Sequence, residues 1–280
     1  MRTCHLVTQA YGLDEIRVQA LYLAHSALAW RGDLDLRVHL YVDDPAPFRG
    51  VEGRCELQVM TPERIRDWRG PCDFVHRLKP LMIQDLARAH PADPFLYLDA
   101  DTFFVAPVEQ VFARIGPGRG VMHLQEYPVA TTETGQIQRF RKAMRKRRFE
   151  GAPVDLDGFM WNAGAVGIDP AQYGILERWI RFIDEIYPHY EKGLVEQYSI
   201  SLLLQRAAAV APCDDLVFHY WYQKDEYVAA IREQLAQLDG LEPAAQGRLL
   251  REHRIELPPP VERKHKRKSL WARVRAALGR

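Results

Sequence analysis

The segment Phe95-Leu96-Tyr97-Leu98-Asp99-Ala100-Asp101-Thr102-Phe103-Phe104-Val105 constrains the fold more than any other. Four apolar residues, two carboxylates one residue apart and a second apolar run predict a buried strand that delivers acids at its end. A strand covered on both faces reads as a continuous hydrophobic run, as in a parallel sheet between two helix layers. Ligands of such sheets collect beyond the carboxyl ends of the strands. Asp99 and Asp101, buried there, require a cation or hydrogen-bond donors. Hard divalent ions such as Mg²⁺ or Mn²⁺ take carboxylate and phosphate oxygens. The segment therefore predicts a metal at a strand end, beside a phosphorylated ligand. A bare Asp-x-Asp means little in a chain with 37 acidic residues. The Phe-Leu-Tyr-Leu run before it gives the triplet its weight.

The flanking sequence alternates strands with helices. His5 to Ala10 reads as a first strand, Tyr11-Gly12 as a turn, and 13–29 as a helix with Ile16, Ala20, Leu23 and Leu28 on one stripe. A second strand over 36–42 closes at Asp43-Asp44-Pro45, and 56–60 reads as a short third. The spacing predicts a helix over 74–89, with Pro80 limiting how early it starts. After the acidic triplet come a turn at 116–120 and a strand at 121–124. Residues 130–157 show no clear period and hold seven bases in the ten residues 139–148. These read either as a solvated face or as an arm meeting an anionic acceptor or membrane surface. Small residues among large apolar ones over 159–170 mark a strand approached closely by something else, and Asn162 on it needs partners. Leu176, Trp179, Ile180, Ile183 and Tyr187 predict a helix stopped at Pro188, and Glu196-Gln197 opens the next. An aromatic segment over 217–224 carries His219 and Lys224, and helices follow at 227–238 and 244–254. This alternation predicts an α/β fold with helices on both sheet faces.

At 280 residues the chain can form one large α/β domain or two small ones. Neither a signal peptide nor an apolar run of about 18 residues is evident. Cys4, Cys55, Cys72 and Cys213 lack Cys-x-x-Cys spacing, which predicts free thiols in a cytoplasmic protein and no cysteine-held zinc. Residues 261–280 hold eight Lys or Arg and one acid, leaving 30 bases against 36 acids in the rest. Residues 257–260 read as a stiff proline linker before that tail. Leu270, Trp271, Val274 and Leu278 share a helical face beside Arg273 and Arg275, the composition of a segment lying in an anionic membrane interface. A terminal helix packed on the domain, or a disordered end, fits the tail as well.

Four pieces occur in order: a helix bearing Lys79, then Tyr97-Leu98-Asp99-Ala100-Asp101, then Trp161-Asn162-Ala163-Gly164, then Glu196-Gln197 followed by His219-Tyr220-Trp221. Together they resemble the GT-A glycosyltransferases over about residues 3–225, most closely the family 8 type that includes glycogenin and bacterial lipopolysaccharide galactosyl- and glucosyltransferases. The resemblance implies a GT-A catalytic domain over 1–256, with a Rossmann-like mixed, mostly parallel sheet and a variable acceptor-side segment at 130–157. It also implies a nucleotide-sugar donor, a UDP-sugar by default, bound with Mn²⁺ or Mg²⁺, and retention of anomeric configuration. It implies a glycan or glycolipid acceptor too, and nucleic acid is not expected; if the tail is an anchor on the inner membrane surface, that acceptor is a lipid-linked or lipopolysaccharide glycan reached at the cytoplasmic face. By position, Asp99, Asp101 and His219 match the family's metal ligands, with Ala100 in the donor site between the aspartates. Lys79 matches a donor-contacting lysine, and Lys224 the base that meets the diphosphate. Asn162 matches the asparagine facing the donor sugar, and Glu196-Gln197 the acidic-Gln pair beside it. Thr8 and Tyr11 fall where the first strand and turn meet the nucleotide base, with Asp43 at the end of the second strand a further candidate. The late motif lacks the family's Gly between histidine and lysine and the Pro-Trp after it, and Glu196 stands where Asp is commoner, which marks a divergent branch.

The chemistry agrees. Glycosyl transfer develops positive charge at the anomeric carbon and negative charge on the leaving diphosphate, which a divalent ion and a lysine offset. Groups around the sugar position it. A haloacid-dehalogenase-like phosphatase also places Asp-x-Asp after a strand, but it wants Thr or Val four residues after the first Asp, where Phe103 stands. A sugar nucleotidyltransferase wants a Gly-rich loop after the first strand, and 8–12 is not one. A GT-A module that binds nucleotide sugar without turnover is the non-enzymatic alternative.

Overall fold

The computed structural model of the protein describes residues 2–258. In chain order the elements are β1 (Cys4–Ala10), α1 (Asp14–Ala29), β2 (Leu36–Val42), β3 (Glu56–Val59), α2 (Pro62–Arg69), α3 (Leu78–Ala89), β4 (Phe95–Leu98), β5 (Thr102–Phe104), α4 (Val108–Phe112), β6 (Arg119–Met122) and β7 (Gln125–Pro128). They continue with α5 (Gly135–Met144), β8 (Arg148–Phe149), β9 (Ala152–Pro153), β10 (Phe159–Trp161), β11 (Ala165–Ile168), α6 (Gly174–Ile186), α7 (Leu194–Ala207), β12 (Ala209–Ala211), β13 (Val217–His219), α8 (Lys224–Leu238) and α9 (Pro243–Glu252).

Seven strands form the central sheet in the order β12-β6-β11-β4-β1-β2-β3. Pairings are parallel except those of β11, which runs against both β4 and β6. The alternation of side chains across a strand divides neighbouring residues between two cores. Leu6, Leu40 and Leu96 pack with Ala20, Leu23 and Ala24 of α1 on one face. Val7, Tyr41 and Tyr97 pack with residues of α3, α6 and α7 on the other. The expected mostly parallel α/β sheet covered on both faces is what the chain forms. A third cluster, including Phe103, Tyr220, Tyr227 and Ile231, fastens the β5–β13 ribbon and α8 to Tyr22 on the outer side of α1.

The segment 95–105 divides at the acidic triplet: β4, the predicted Phe-Leu-Tyr-Leu strand, lies in the main sheet and β5 in a separate ribbon with β13. The stretch 159–170 breaks likewise around Asn162-Ala163-Gly164, into β10 and β11. Residues 130–157 require a correction. They contain α5, whose Ile137, Phe140 and Met144 repeat at helical spacing and are fully covered. Each such side chain contributes about 1.5–3 kcal/mol when buried, enough to seat a short helix whose other face is charged. The seven bases obscured that period. Helix α2, opened by Thr61 accepting the Arg64 N–H at 3.2 Å and by Pro62, and edge strand β12 were not anticipated. All four cysteines are free. Among the described residues no helix is long and apolar enough to cross a membrane. The tail expected over 261–280 and the last two linker residues lie outside the described residues.

Candidate functional site

Strand direction assembles the site. Because β11 is antiparallel to β4, with Ala165 opposite Leu98, its amino end meets the carboxyl end of β4. The Asp99 N–H donates to the Gly164 carbonyl at 2.8 Å. This sets Asn162-Ala163-Gly164 beside the acidic triplet. The β5–β13 pairing, with His219 opposite Thr102, and the Tyr220 N–H on the Asp101 carbonyl at 3.2 Å bring His219 to the same place. Gly164 makes the approach possible: a β-carbon there would lie 2.3 Å from His219 Cε1. These groups line a cavity of about 480 Å³, walled also by Lys79, Ala100, Glu126, Glu196, Gln197 and Lys224.

Lys79 lies on α3 and is only 2% exposed, its Nζ 3.0 Å from Asp99 Oδ1 and 3.6 Å from Glu196 Oε2. It also donates to the Ala163 carbonyl at 3.3 Å. Burial works against its ammonium, but Asp99 and then Glu196 outweigh burial and hold its pKa above the usual range. Glu196 itself is driven the other way. Full burial, and then the Asp99 charge, push its carboxyl up to about 7 against the pull of Lys79. Its Oε1 has no hydrogen-bond partner. Burial alone would raise Asp101, yet the His219 imidazole and then the Lys224 ammonium, 2.7 Å away, hold it below the ordinary carboxylate range.

Asn162 has a fixed orientation. Its Oδ1 accepts the Gly164 N–H at 2.9 Å, and its Nδ2 donates to Glu126 at 3.2 Å. His219 Nδ1, 3.1 Å from that Oδ1, must therefore carry a proton and donate. Its Nε2 then faces Asp101 Oδ1 at 3.5 Å, and a proton on this nitrogen is what lets the ring hold the Asp101 carboxyl down; without one the two atoms would stand lone pair to lone pair. Two electron-rich atoms in opposition require a proton or a cation between them. Donor atoms of Asp99, Asp101 and His219 lie within 4.8 Å of one another. Two carboxylates and one imidazole oriented by an outer partner suit a hard or borderline divalent ion, so the residues present fit Mn²⁺ or Mg²⁺.

The structure thus brings together Lys79, Asp99, Ala100, Asp101, Asn162, Glu196, Gln197, His219 and Lys224. It does not bring the other three candidates to the cavity wall. Thr8 is fully buried, Tyr11 is nearly so, and Gln9 between them reaches the cavity instead. The Asp43 carboxylate accepts from Gly12 N–H at 3.0 Å and from Arg17 at 2.7 and 3.1 Å, closing the β1–α1 turn. Sequence reasoning missed Glu126 on β7, which joins Asn162 to Gln197 through contacts of 3.2 and 2.8 Å. It also missed half-buried His76 and exposed Trp221 at the wall. Trp221 was findable beside His219; nothing local distinguishes Glu126.

No family model and no curated protein matches the chain. Among solved structures it is similar to the crystal structure of mouse xyloside xylosyltransferase 1 in its apo form, with a TM-score of 0.51 at 16% identity. The match covers 81% of this chain and 92% of that one. At that identity the likeness establishes the fold, which is the GT-A fold expected from the sequence motifs.

Proposed function

We propose that the protein is a divalent-metal-dependent glycosyltransferase of the family 8 type. It would move a hexosyl group from a nucleotide-diphosphate sugar, a UDP-sugar by resemblance, to a glycan or glycolipid acceptor with retention. One observation carries this reading: Asp99, Asp101 and His219 share a cavity with Lys79, Lys224, Asn162, Glu196 and Gln197 at the carboxyl edge of a GT-A sheet. Asp99, Asp101 and His219 would hold Mn²⁺ or Mg²⁺, which when bound supplies Lewis-acid neutralisation of the leaving diphosphate.

The remaining groups act through position and charge. Lys224 is 53% exposed and can turn its ammonium from Asp101 to a diphosphate oxygen. Buried Lys79 holds Asp99 and Glu196 in place. Asn162 and Gln197, tied by Glu126, present amides toward a sugar. The unpartnered Glu196 Oε1 can take a sugar hydroxyl, and near neutrality its carboxyl can accept or donate that hydrogen bond. The anomeric carbon–oxygen bond breaks with its electron pair leaving on the diphosphate. The acceptor oxygen attacks from the same face and gives its proton to the departing phosphate oxygen.

Residues 1–256 would form the catalytic unit. Gln136 of the 130–157 segment reaches the cavity wall, and Arg139, Lys142, Arg145 and Lys146 are exposed beside it. This supports an acceptor side that meets anionic glycolipid, lipopolysaccharide precursors included, with the 263–280 tail on the inner membrane surface. Melting temperature and donor turnover, measured over a panel of nucleotide sugars with Mn²⁺ or with chelator, test the reading. A UDP-sugar at 100 times its Kd should stabilise by about 2.7 kcal/mol, only with Mn²⁺, and should be turned over. No donor shifting the melting point, and none hydrolysed or transferred, would overturn it.

A further inference from the structure

A second cluster of metal-ligating side chains lies at the opposite edge of the sheet. His5, the second residue of β1, pairs with Phe95, the first residue of β4, whereas Asp99 follows the last. His90 ends α3, and Asp93 belongs to the connection from α3 to β4. One donor atom each from His5, His90 and Asp93 lie within 4.8 Å of one another. His5 is wholly buried while His90 and Asp93 are half-buried, so the cluster is enclosed on one side and reachable from the other.

The hydrogen count around His5 points to a cation. His5 Nε2 is 3.3 Å from Asp93 Oδ2, His5 Nδ1 is 2.8 Å from His39 Nε2, and His39 Nδ1 is 3.3 Å from Glu56 Oε2. Three gaps therefore link two carboxylates through two imidazoles. Two neutral imidazoles carry two N–H groups, so one gap always opposes lone pair to lone pair. Fully buried His39 Nδ1 has no hydrogen-bond partner, which shows the deficit. If His5 donates its Nδ1–H to His39 Nε2, the His39 proton lies on Nδ1, 3.3 Å from Glu56 Oε2 but in no hydrogen bond, and His5 Nε2 is left bare toward Asp93 and His90. The His39 imidazole behind His5 Nδ1 is the kind of outer partner that orients a metal-bound histidine. Two imidazoles and one carboxylate suit zinc better than Mg²⁺ or Mn²⁺, and three protein ligands leave a fourth position for water.

We propose that His5, His90 and Asp93 form a Zn²⁺ site, supported from behind by His39. It would clamp the α3–β4 connection to β1. The Tyr173 hydroxyl donates to the Asp93 carbonyl and restrains the same connection. The site is independent of the glycosyltransferase reading, being at the other edge of the sheet and needing no donor.

The test uses the full chain, stripped by chelator, in an Asp99→Ala/Asp101→Ala background that removes the other cluster. Zn²⁺ is titrated against a chromophoric chelator, and Co²⁺ is added separately as an absorbance probe. One Zn²⁺ per chain and an intense four-coordinate Co²⁺ spectrum are expected. His90→Ala and Asp93→Asn should each weaken Zn²⁺ by more than the roughly 10–100-fold expected when the outer partner is lost in His39→Gln. Both lie at half-buried positions, so circular dichroism checks that each folds. As a second measurement, the wild-type chain should take up one more zinc equivalent than Asp93→Asn. No Zn²⁺ uptake in the double-alanine background, or Asp93→Asn and His90→Ala binding as tightly as their parent, overturns the site.

Discussion

Adding one methyl group at Gly164 tests whether the position of His219 matters. The new β-carbon would lie 2.3 Å from His219 Cε1, 2.4 Å from its Nδ1 and 2.9 Å from Asn162 Oδ1, where ordinary contact begins at 3.4 Å. The backbone cannot easily yield, because Gly164 accepts from Asp99 and is followed directly by β11. The ring must therefore retreat by about 1 Å, breaking its hydrogen bond to Asn162 and carrying Nε2 off its line to Asp101. Overpacking of this kind costs about 1–3 kcal/mol, or a melting temperature lower by roughly 2–4 °C for each kcal/mol. A misplacement of about 1 Å in a catalytic group can cost roughly 10²-fold in rate. Mn²⁺ affinity by calorimetry and donor turnover should both fall in Gly164→Ala. Gly174→Ala, whose added carbon meets nothing within 4 Å, is the control. Gly164→Ala/His219→Ala removes the clashing ring, so it should recover stability without recovering metal affinity. Gly164→Ala binding Mn²⁺ and turning over donor like the wild type would refute the placement of His219.

Asp99→Asn and Asp101→Asn should each abolish the Mn²⁺-dependent rise in melting temperature given by a UDP-sugar, and a wild-type rise in either removes that residue from the ligand set. Glu196 has a folded pKa of about 7 against an ordinary 4.5, so its contribution to stability is full below about pH 4.5 and is lost as pH climbs through 7. That gap corresponds to about 3 kcal/mol; Glu196→Gln should flatten this decline in denaturant titrations from pH 4 to 8, and an unchanged slope counts against the assignment. Lys79→Met strands the buried Glu196 carboxyl and the half-buried Asp99 carboxylate and should lower stability by about 3–5 kcal/mol. Lys224→Met takes a half-exposed ammonium from buried Asp101, which keeps His219 beside it, so it should lower stability less than Lys79→Met does while weakening donor binding; equal stability losses for the two would contradict their different roles.

Much of this was legible because it is local. Period-2 and continuous apolar runs gave β1, β2 and β4 nearly to the residue, and Asp99 and Asp101 stood out because a buried strand leads into them. Asn162 and Gly164 were visible as small and polar residues inside an apolar stretch. What stayed hidden depends on register. The contact between Glu126 and Gln197 spans 71 residues, and that between His5 and Asp93 spans 88. Neither follows from any pattern within a single element. Helix α5 was hidden for another reason: basic residues on its outer face outweighed three buried positions at correct spacing. Thr8 and Tyr11 were candidates through the resemblance, with Asp43 as a further one; Asp43 is held by a neighbouring arginine and glycine, and Gln9, between Thr8 and Tyr11, lines the cavity.

The charge around the cavity gives these residues a common logic. Asp99, Asp101, Glu126 and Glu196 face Lys79, Lys192 and Lys224 at its wall. Without a cation such a cavity does not favour a diphosphate, because carboxylates at the strand end repel it and Lys224 is already engaged by Asp101 at 2.7 Å. A divalent ion held by Asp99, Asp101 and His219 would reverse that balance and release Lys224 for the diphosphate, so metal should precede donor. The raised Glu196 works in the same direction: a carboxyl that is partly neutral near pH 7 lessens the negative charge that the diphosphate of the proposed donor would meet. This is why donor stabilisation with Mn²⁺, and its absence in chelator, is the measurement on which the proposed function rests.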